Sequence, residues 1–349
     1  MNRTVLIAGG AGYIGSHMVL ALQEAGYSVV VLDNLSRGFA DAAGTAPLMV
    51  GDLRSPADLD NCFAAYPVDL VMHFAALAYV GESVTEPDRY YQNNVVGALN
   101  LLSAMRRHGI SRLVFSSSCA TYGEPDRVPI DETHPQRPIN PYGRTKLMIE
   151  HALGDYAAAY RLHSISLRYF NAAGCDPQRR VGERHDPETH LIPLVLAEAL
   201  RIQRGGDPRD TRLQVYGTDF PTKDGSCIRD YIHVSDLCVA HLRAAGRLLA
   251  NDATGAECYN LANGAGFSVL DVIAACREVT RQPIEYRALP RRAGDPAVLI
   301  GDAQRAAAVL GWRAEIVEMR ELIRSAWDWM QQRSSGVAVA GDDAAGGMR

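Results

Sequence analysis

Through the first half of this chain, short β-branched runs alternate with amphipathic stretches, and no other feature restricts the fold as tightly. Val5–Ala8, Ser28–Leu32, Leu70–Phe74, Leu113–Ser116 and Ser164–Arg168 read as strands. Ile14–Glu24, Tyr90–His108 and Tyr142–Tyr160 read as helices between them. Alternation of this kind builds βαβ units and a parallel sheet covered on both faces. Right-handed crossovers then line up the carboxyl ends of the strands along one edge, where ligands bind in such sheets. The predicted class is α/β, a doubly wound parallel sheet.

After about residue 172 the pattern loosens. Cys175–Asp186 is rich in Pro, Gly and charge and reads as a loop, as does Gly205–Asp210. Helices near Pro193–Arg204, Ser235–Leu249, Val269–Val279 and Glu315–Gln332 are separated by short strands and turns. This predicts a smaller mixed α/β domain over 173–333, with a cleft between it and a first domain over 1–172. A segment around 220–250 is expected to pack back on the first domain. The Gly-, Ala- and Ser-rich end, 334–349, lacks periodicity and is expected to be disordered.

Composition narrows the function classes. At 349 residues the chain is comfortable for two domains, and its 47% apolar and 21% charged residues are ordinary for a globular protein. A net charge of −5 gives no case for nucleic acid or an anionic membrane surface. Seven scattered cysteines, an odd count without a CxxC pair, read as free thiols in a reducing compartment. The N-terminus runs straight into a strand, and no apolar run approaches a membrane span. The expected location is the cytoplasm. No residue is assigned to a metal.

Between the first strand and the first helix lies Gly9-Gly10-Ala11-Gly12-Tyr13-Ile14-Gly15. Gly9 permits the tight turn, Gly12 removes a side chain where backbone must approach a pyrophosphate, and Gly15 lets helix pack on strand. The freed amides and the helix dipole then face an anion. Asp33 closes the second strand, where a carboxylate accepts hydrogen bonds from the adenosine ribose and repels a 2′-phosphate. The predicted cofactor is therefore NAD. Arg37 follows shortly and is chemically able to hold a phosphate, but the acid is better placed. Asp52-Leu53, at a later turn, suits the adenine edge or serves as a solvated turn acid, and the residues alone do not choose.

Tyr142 and Lys146 are four apart, so on a helix both side chains share one face. An ammonium within a few ångströms favours the phenolate, which makes a general acid/base able to work near neutrality. The strand Leu113–Ser116 runs into Ser116-Ser117-Ser118-Cys119-Ala120. A serine there is placed to hydrogen-bond a sugar hydroxyl near the Tyr142 oxygen; as an isolated feature it is a helix cap or turn.

Together these motifs resemble the UDP-glucose (UDP-galactose) 4-epimerases of the extended short-chain dehydrogenase/reductase superfamily. Matching stretches include Gly9–His17, His73–Ala76, Tyr91–Asn94, Ser116–Gly123, Pro141–Lys146, Arg168–Asn171, Pro221–Val234 and Arg291–Asp295, and coverage is essentially 3–332. The resemblance implies an NAD-binding Rossmann domain followed by a UDP-sugar domain. It makes Tyr142 the base that removes the 4-hydroxyl proton, with Ser118 bridging the hydroxyl and the phenol. Lys146 would hold the nicotinamide ribose and lower the tyrosine pKa, aided by the positive charge of NAD. Hydride leaves C4, the 4-keto sugar turns over, and hydride and proton return to the other face. Cofactor contacts would fall to Gly9, Gly12, Tyr13, Ile14, Gly15, Asp33, Asn34, Asp52, Leu53, Phe74, Ala75, Ala76, Asn93, Ser116, Tyr142, Lys146, Tyr169 and Phe170. The UDP-sugar would fall to Ser118, Tyr142, Asn171, Leu191, Tyr216, Arg229, Tyr231, Arg292, Asp295 and Leu299. A homodimer through Tyr90–His108 and Tyr142–Tyr160 is also implied, although those faces equally suit covering the sheet.

Departures and rivals bear on the substrate. Ala78 stands where many members carry a lysine toward the cofactor. Leu299 stands at the sugar border, where tyrosine narrows the pocket against an N-acetyl group and a small residue opens it. Related 4,6-dehydratases need an Asp-Glu pair, and decarboxylases a Glu, where this chain has Cys119 and Ala120. Epimerisation without elimination remains, on UDP-glucose/galactose or on a UDP-N-acetylhexosamine, UDP-uronate or UDP-pentose. A non-catalytic dinucleotide sensor would have no use for Ser118, Tyr142 and Lys146.

Overall fold

A computed structural model describes residues 3–292 and 295–335. The strands are β1 Thr4–Ala8, β2 Ser28–Asp33, β3 Leu48–Val50, β4 Leu70–His73, β5 Arg112–Ser118, β6 His163–Tyr169 and β7 Asn171–Ala173. They continue with β8 Gln214–Tyr216, β9 Ile228–His233, β10 Ala256–Leu261, β11 Gly266–Ser268, β12 Arg287–Leu289 and β13 Val298–Leu299. The helices are α1 Tyr13–Glu24, α2 Pro56–Ala65, α3 Val80–Thr85, α4 Pro87–Tyr90, α5 Gly97–Arg107 and α6 Pro141–Tyr160. The rest are α7 Leu191–Gln203, α8 Val234–Leu249, α9 Val269–Thr280, α10 Gln304–Leu310 and α11 Met319–Ser334.

The main sheet has seven strands in the order β10-β6-β5-β4-β1-β2-β3, every pair parallel. Its direction of winding reverses between β1 and β4, and the carboxyl edge there is where open α/β sheets bind ligands. Both faces are buried because the strands are apolar without alternation: Val5, Leu6, Ile7 and Ala8 are each wholly inaccessible. Leu6, Val71 and Phe115 pack under α2, α5 and α6; Ile7, Met72 and Ile165 pack under α1 and α8. Each such side chain contributes about 1.5–3 kcal/mol by leaving water. All seven cysteines are unpaired thiols.

Three sequence expectations change here. The stretch read as one helix, Tyr90–His108, is α4 and α5 joined through a π-helical turn at Tyr91–Val96. The large sheet gains β3, and β10 joins it from far along the chain by pairing with β6. Ser334 closes α11 rather than opening a tail, and 336–349 lie outside the described residues. A second core, centred on Val195, Leu196, Ile273 and Trp327, gathers α7, α9 and α11 around β8.

Candidate active site

The glycine turn follows β1 directly. Gly9 has φ +87°, and a Cβ there would lie 2.4 Å from the Ala75 nitrogen, so only glycine fits. At Gly15 a Cβ would meet the Gly9 carbonyl oxygen at 2.1 Å. Gly12 differs: a Cβ would find only that oxygen, at 3.5 Å, and would otherwise point into open space. The backbone is therefore bare at the one position where a bulky anion must approach. Tyr13 and Ile14 open α1, and their amides have no carbonyl one turn behind them to bond. The Tyr13 side chain turns away, its hydroxyl donating to the Gly174 carbonyl at 2.6 Å, and Ile14 packs on the core.

One elongated cleft is lined jointly by Gly9, Gly12, Asp33, Asn34, Asp52, Leu53, Phe74, Ala75, Ala76 and Asn93. Asp33, at the end of β2, accepts from the Ala11 amide at 3.0 Å and the Leu35 amide at 2.9 Å. Burial pushes its carboxyl up, and those two amides pull it back. Each oxygen keeps a further lone pair for a hydroxyl donor. Asn34 donates to Asp52 at 3.0 Å, and hydrogen bonds from Arg54 hold the Asp52 carboxyl well below the usual range. Arg37 also borders the cleft but is engaged: it donates to Glu82 and to the Asp186 carbonyl, both at 2.8 Å.

Farther along the same edge, β5 ends in Ser118. Its hydroxyl caps the short 3-10 turn Cys119–Thr121, accepting from the Ala120 amide at 3.1 Å. Helix α6 starts opposite, with Pro141 in its first turn and Asn140 as N-cap accepting from the Gly143 amide at 2.8 Å. Gly143 lets the helix close on that turn, since a Cβ would lie 2.3 Å from the Ala120 oxygen. The result brings the Tyr142 phenol to the Ser118 hydroxyl, whose hydrogen bond favours the phenolate. Lys146 sits one turn on, 3% exposed, 5.8 Å from the Tyr142 ring centroid and 4.9 Å from that of Phe115.

The expected lowering of the Tyr142 pKa by Lys146 is not what this environment does. Burial pushes Tyr142 up to about 12, and only the Ser118 hydrogen bond opposes it. Burial also pushes Lys146 down to about 7, with Glu150 pulling it back up. The ammonium donates to the Ser116 carbonyl at 2.7 Å. Desolvation penalises both charges, so the protein groups alone do not supply a phenolate near neutrality.

The residues expected to meet UDP converge on β7, β9, β13 and the start of α7. Asn171 donates to the Asp230 carbonyl at 3.0 Å, and Leu191 opens α7. Asp295 joins the two arginines, 3.4 Å from Arg229 and 3.3 Å from Arg292. Arg292 lies over the Tyr216 ring, 4.5 Å to its centroid. Leu299 pairs with Arg229 across β13 and β9 and packs on the cluster of Tyr122, Ile130 and Phe170. Phe170 is core, held against Gly301, where a Cβ would lie 2.3 Å away. Tyr231 is buried in the second core, and Tyr169 hydrogen-bonds Ser116 through its hydroxyl.

Several further residues shape the site although the sequence reading assigned them no role. Glu150, one turn beyond Lys146, pairs with Arg168 at 2.6 Å with side chains 8% and 6% exposed, and accepts from Ser117 at 2.5 Å. Asn94, in the π-helical turn, clamps Leu77 through both amide and carbonyl and donates to Thr145 on α6 at 3.1 Å. Asp230, wholly buried, accepts from the amides of Asn263, Gly264 and Gly301 and so holds two loops around β9. Gly38 approaches Ala11 so closely that a Cβ would meet its carbonyl carbon at 2.8 Å.

Comparison with known proteins supplies the lineage. Residues 5–262 match the NAD dependent epimerase/dehydratase family. The chain belongs to that family. A UDP-glucose 4-epimerase of Halalkalibacterium halodurans is 47% identical over 339 residues, covering 97% of this chain and 99% of its own. The crystal structure of the UDP-glucose 4-epimerase from Brucella ovis in complex with NAD superimposes with a TM-score of 0.87 at 46% identity, covering 93% of this chain and 98% of that one. The UDP-glucose-4-epimerase of Stenotrophomonas maltophila, with bound NAD and formylated UDP-arabinopyranose, has a TM-score of 0.88 at 38% identity, covering 96% and 100%.

The cleft of this epimerase/dehydratase fits the family's dinucleotide. The bare Gly12 backbone at the mouth of α1 suits a pyrophosphate, and the half-satisfied Asp33 carboxylate suits an unphosphorylated ribose. Arg37, tied to Glu82, is not free to counter a 2′-phosphate. No helix among the described residues is long and apolar enough to cross a membrane.

Proposed function

We propose that this chain interconverts UDP-galactose and UDP-glucose by inverting C4 through a transient 4-keto sugar, with NAD held in the cleft, as an isomerase of galactose metabolism. The observation that carries this reading is the meeting of Ser118, Tyr142 and Lys146 at the carboxyl edge of β5, beside Cys119 and Ala120. That set moves one proton at one hydroxyl, and no neighbouring carboxylate is available on the 119–120 turn to eliminate water. Tyr142 takes the 4-hydroxyl proton and returns it from the opposite face, while Ser118 hydrogen-bonds hydroxyl and phenol. Bound NAD supplies the hydride acceptor and donor for C4, and its positive charge favours the phenolate that burial disfavours. Lys146, which donates to the Ser116 carbonyl, would grip the nicotinamide ribose.

Inversion requires the diphosphate to be held while the hexose turns. We assign that grip to Arg229 and Arg292, whose guanidinium groups suit paired hydrogen bonds to phosphate once Asp295 yields them. Asn171, Leu191, Tyr216 and Tyr231 would complete the UDP end, and Leu299 the border of the sugar. The chain divides, in this reading, into an NAD domain over 1–172 with 220–250 packed back on it and a UDP-sugar domain over 173–333. We further assign a cytoplasmic homodimer through the α5 and α6 faces, where Leu99 and Met148 remain exposed. The pentose bound to the Stenotrophomonas relative favours UDP-arabinose as a second substrate to test. Incubating purified protein with UDP-galactose, UDP-N-acetylgalactosamine and UDP-arabinose separately, then resolving the C4 epimers, tests the reading; no conversion of UDP-galactose overturns it.

A further inference from the structure

Between β7 and α7 the chain crosses the first lobe, and this crossing carries Glu183-x-His185-x-x-Glu188-x-His190. Nothing in the chemistry above uses these four side chains. One ligand atom from each lies within 4.8 Å of the other three. The Glu183 carboxylate is 3.6 Å from His185 Nδ1 and 3.3 Å from His190 Nδ1. Glu188 stands 3.1 Å from His185 Nδ1 and 2.8 Å from His190 Nδ1. A tetrahedron of ligands about 2.0–2.2 Å from a zinc ion has edges of about 3.3–3.6 Å. The two Glu183 contacts already stand at that spacing, whereas Glu188 reaches the two imidazoles with different oxygens and would turn one of them onto the ion.

A second observation is independent of the spacing. The Glu183 side chain is 6% exposed and receives no hydrogen bond from any backbone amide or hydroxyl among the described residues. It points at the two imidazoles, His185 and His190. A carboxylate so enclosed, faced by imidazoles and by no amide or hydroxyl donor, is costly unless a cation meets it.

We propose that Glu183, His185, Glu188 and His190 bind a zinc ion that rigidifies this crossing segment where it lies against the first lobe. Two carboxylates neutralise the dication, and mixed imidazole and carboxylate donors suit zinc over magnesium or calcium, which need six or more oxygens. Four protein ligands close the coordination sphere, which makes the site structural. The surroundings are rigid: His185 meets the Tyr13 and Tyr79 rings edge-on, each with centroids 6.1 Å apart, and Tyr79 donates to the Pro187 carbonyl at 2.9 Å. Tyr13 opens α1 at the glycine turn, and His190 is the N-cap of α7. Zinc would thus fix the segment that runs from beside the dinucleotide turn to the helix that starts at Leu191.

The test uses the full chain with its NAD. After chelation and dialysis, the protein is equilibrated with Zn2+, Co2+ or Mg2+ in separate arms, and retained metal is counted. The expected result is one zinc per chain, a raised thermal midpoint, a tetrahedral Co2+ visible spectrum, and no retention of Mg2+. His185→Ala should weaken zinc binding by more than about a hundredfold, the upper end of what losing an outer-shell partner alone costs. Because alanine also removes the ring contacts to Tyr13 and Tyr79, Glu188→Gln, which keeps shape, serves as a second variant with the same expectation. Failure of the wild-type protein to retain zinc, or equal retention by Glu188→Gln, overturns the proposal and leaves an imidazole–carboxylate network in its place.

Discussion

Lys146→Met offers a direct reading of what the buried ammonium costs. Burial lowers Lys146 from 10.5 to about 7, and methionine keeps the length of the side chain without the charge. Between those two values the unfolded chain binds the proton and the folded one releases it, so stability rises with pH across the window. Near pH 7 the folded lysine is half protonated, and the difference from the unfolded state costs about 4 kcal/mol. By pH 9 the cost has fallen to about 2 kcal/mol. Methionine removes this cost but strips the Ser116 carbonyl of its 2.7 Å donor, which takes back about 1–3 kcal/mol.

The NAD-stripped variant should therefore be more stable than the NAD-stripped wild type at pH 7, by about 1–3 kcal/mol, and should lose that lead by pH 9. Urea unfolding followed by tryptophan fluorescence at both pH values measures the two gaps. Cysteines and tyrosines that titrate nearby are common to both proteins and cancel in the difference. If the variant is less stable at pH 7 and the gap does not move with pH, the lysine is not carrying a desolvated charge. The same variant should turn over UDP-sugar far more slowly, since the cost is borne by the group proposed to hold the ribose.

Tyr142→Phe should retain NAD, counted after denaturing release, while turnover falls by about 10²–10⁴, the range for losing one general acid/base. Gly12→Val should leave the thermal midpoint of NAD-free protein unchanged, because a Cβ there meets open space, yet the purified variant should carry no NAD. Leu299→Tyr should lower activity on UDP-N-acetylgalactosamine more than on UDP-galactose; equal losses would remove Leu299 as a gate. Glu150→Gln should destabilise the protein by about 3–5 kcal/mol in chemical denaturation, because Arg168, 6% exposed, would keep its charge without its partner.

How legible each part was in the sequence follows from how local its cause is. β1, β2, β4, β5 and β6 are apolar runs ended by turn residues, and α1 and α6 are amphipathic stretches between them. The glycine turn was legible for the same reason, since each glycine answers a contact inside nine residues or a neighbouring strand end. β10 was not, because Ala256–Leu261 becomes a sheet strand only by pairing with β6, some ninety residues earlier. The π-helical turn at Tyr91–Val96 was hidden likewise, its Asn94 being held by Leu77 and Thr145 rather than by its own helix.

The site shows the same division at the level of charge. A spacing of four placed Tyr142 and Lys146 on one helical face, but spacing says nothing of desolvation. The charge state of Lys146 depends on burial against Phe115, on Glu150 and on a strand carbonyl, three elements brought together only by the fold. Glu183, His185, Glu188 and His190 were passed over because the first two fell in a stretch whose Pro, Gly and charge content described a loop correctly, and the others just beyond it. Composition cannot say that a loop folds its acids and imidazoles onto one point. A motif therefore locates chemistry where its residues act within one turn or one strand end, and the electrostatics that tune it belong to contacts that sequence distance conceals.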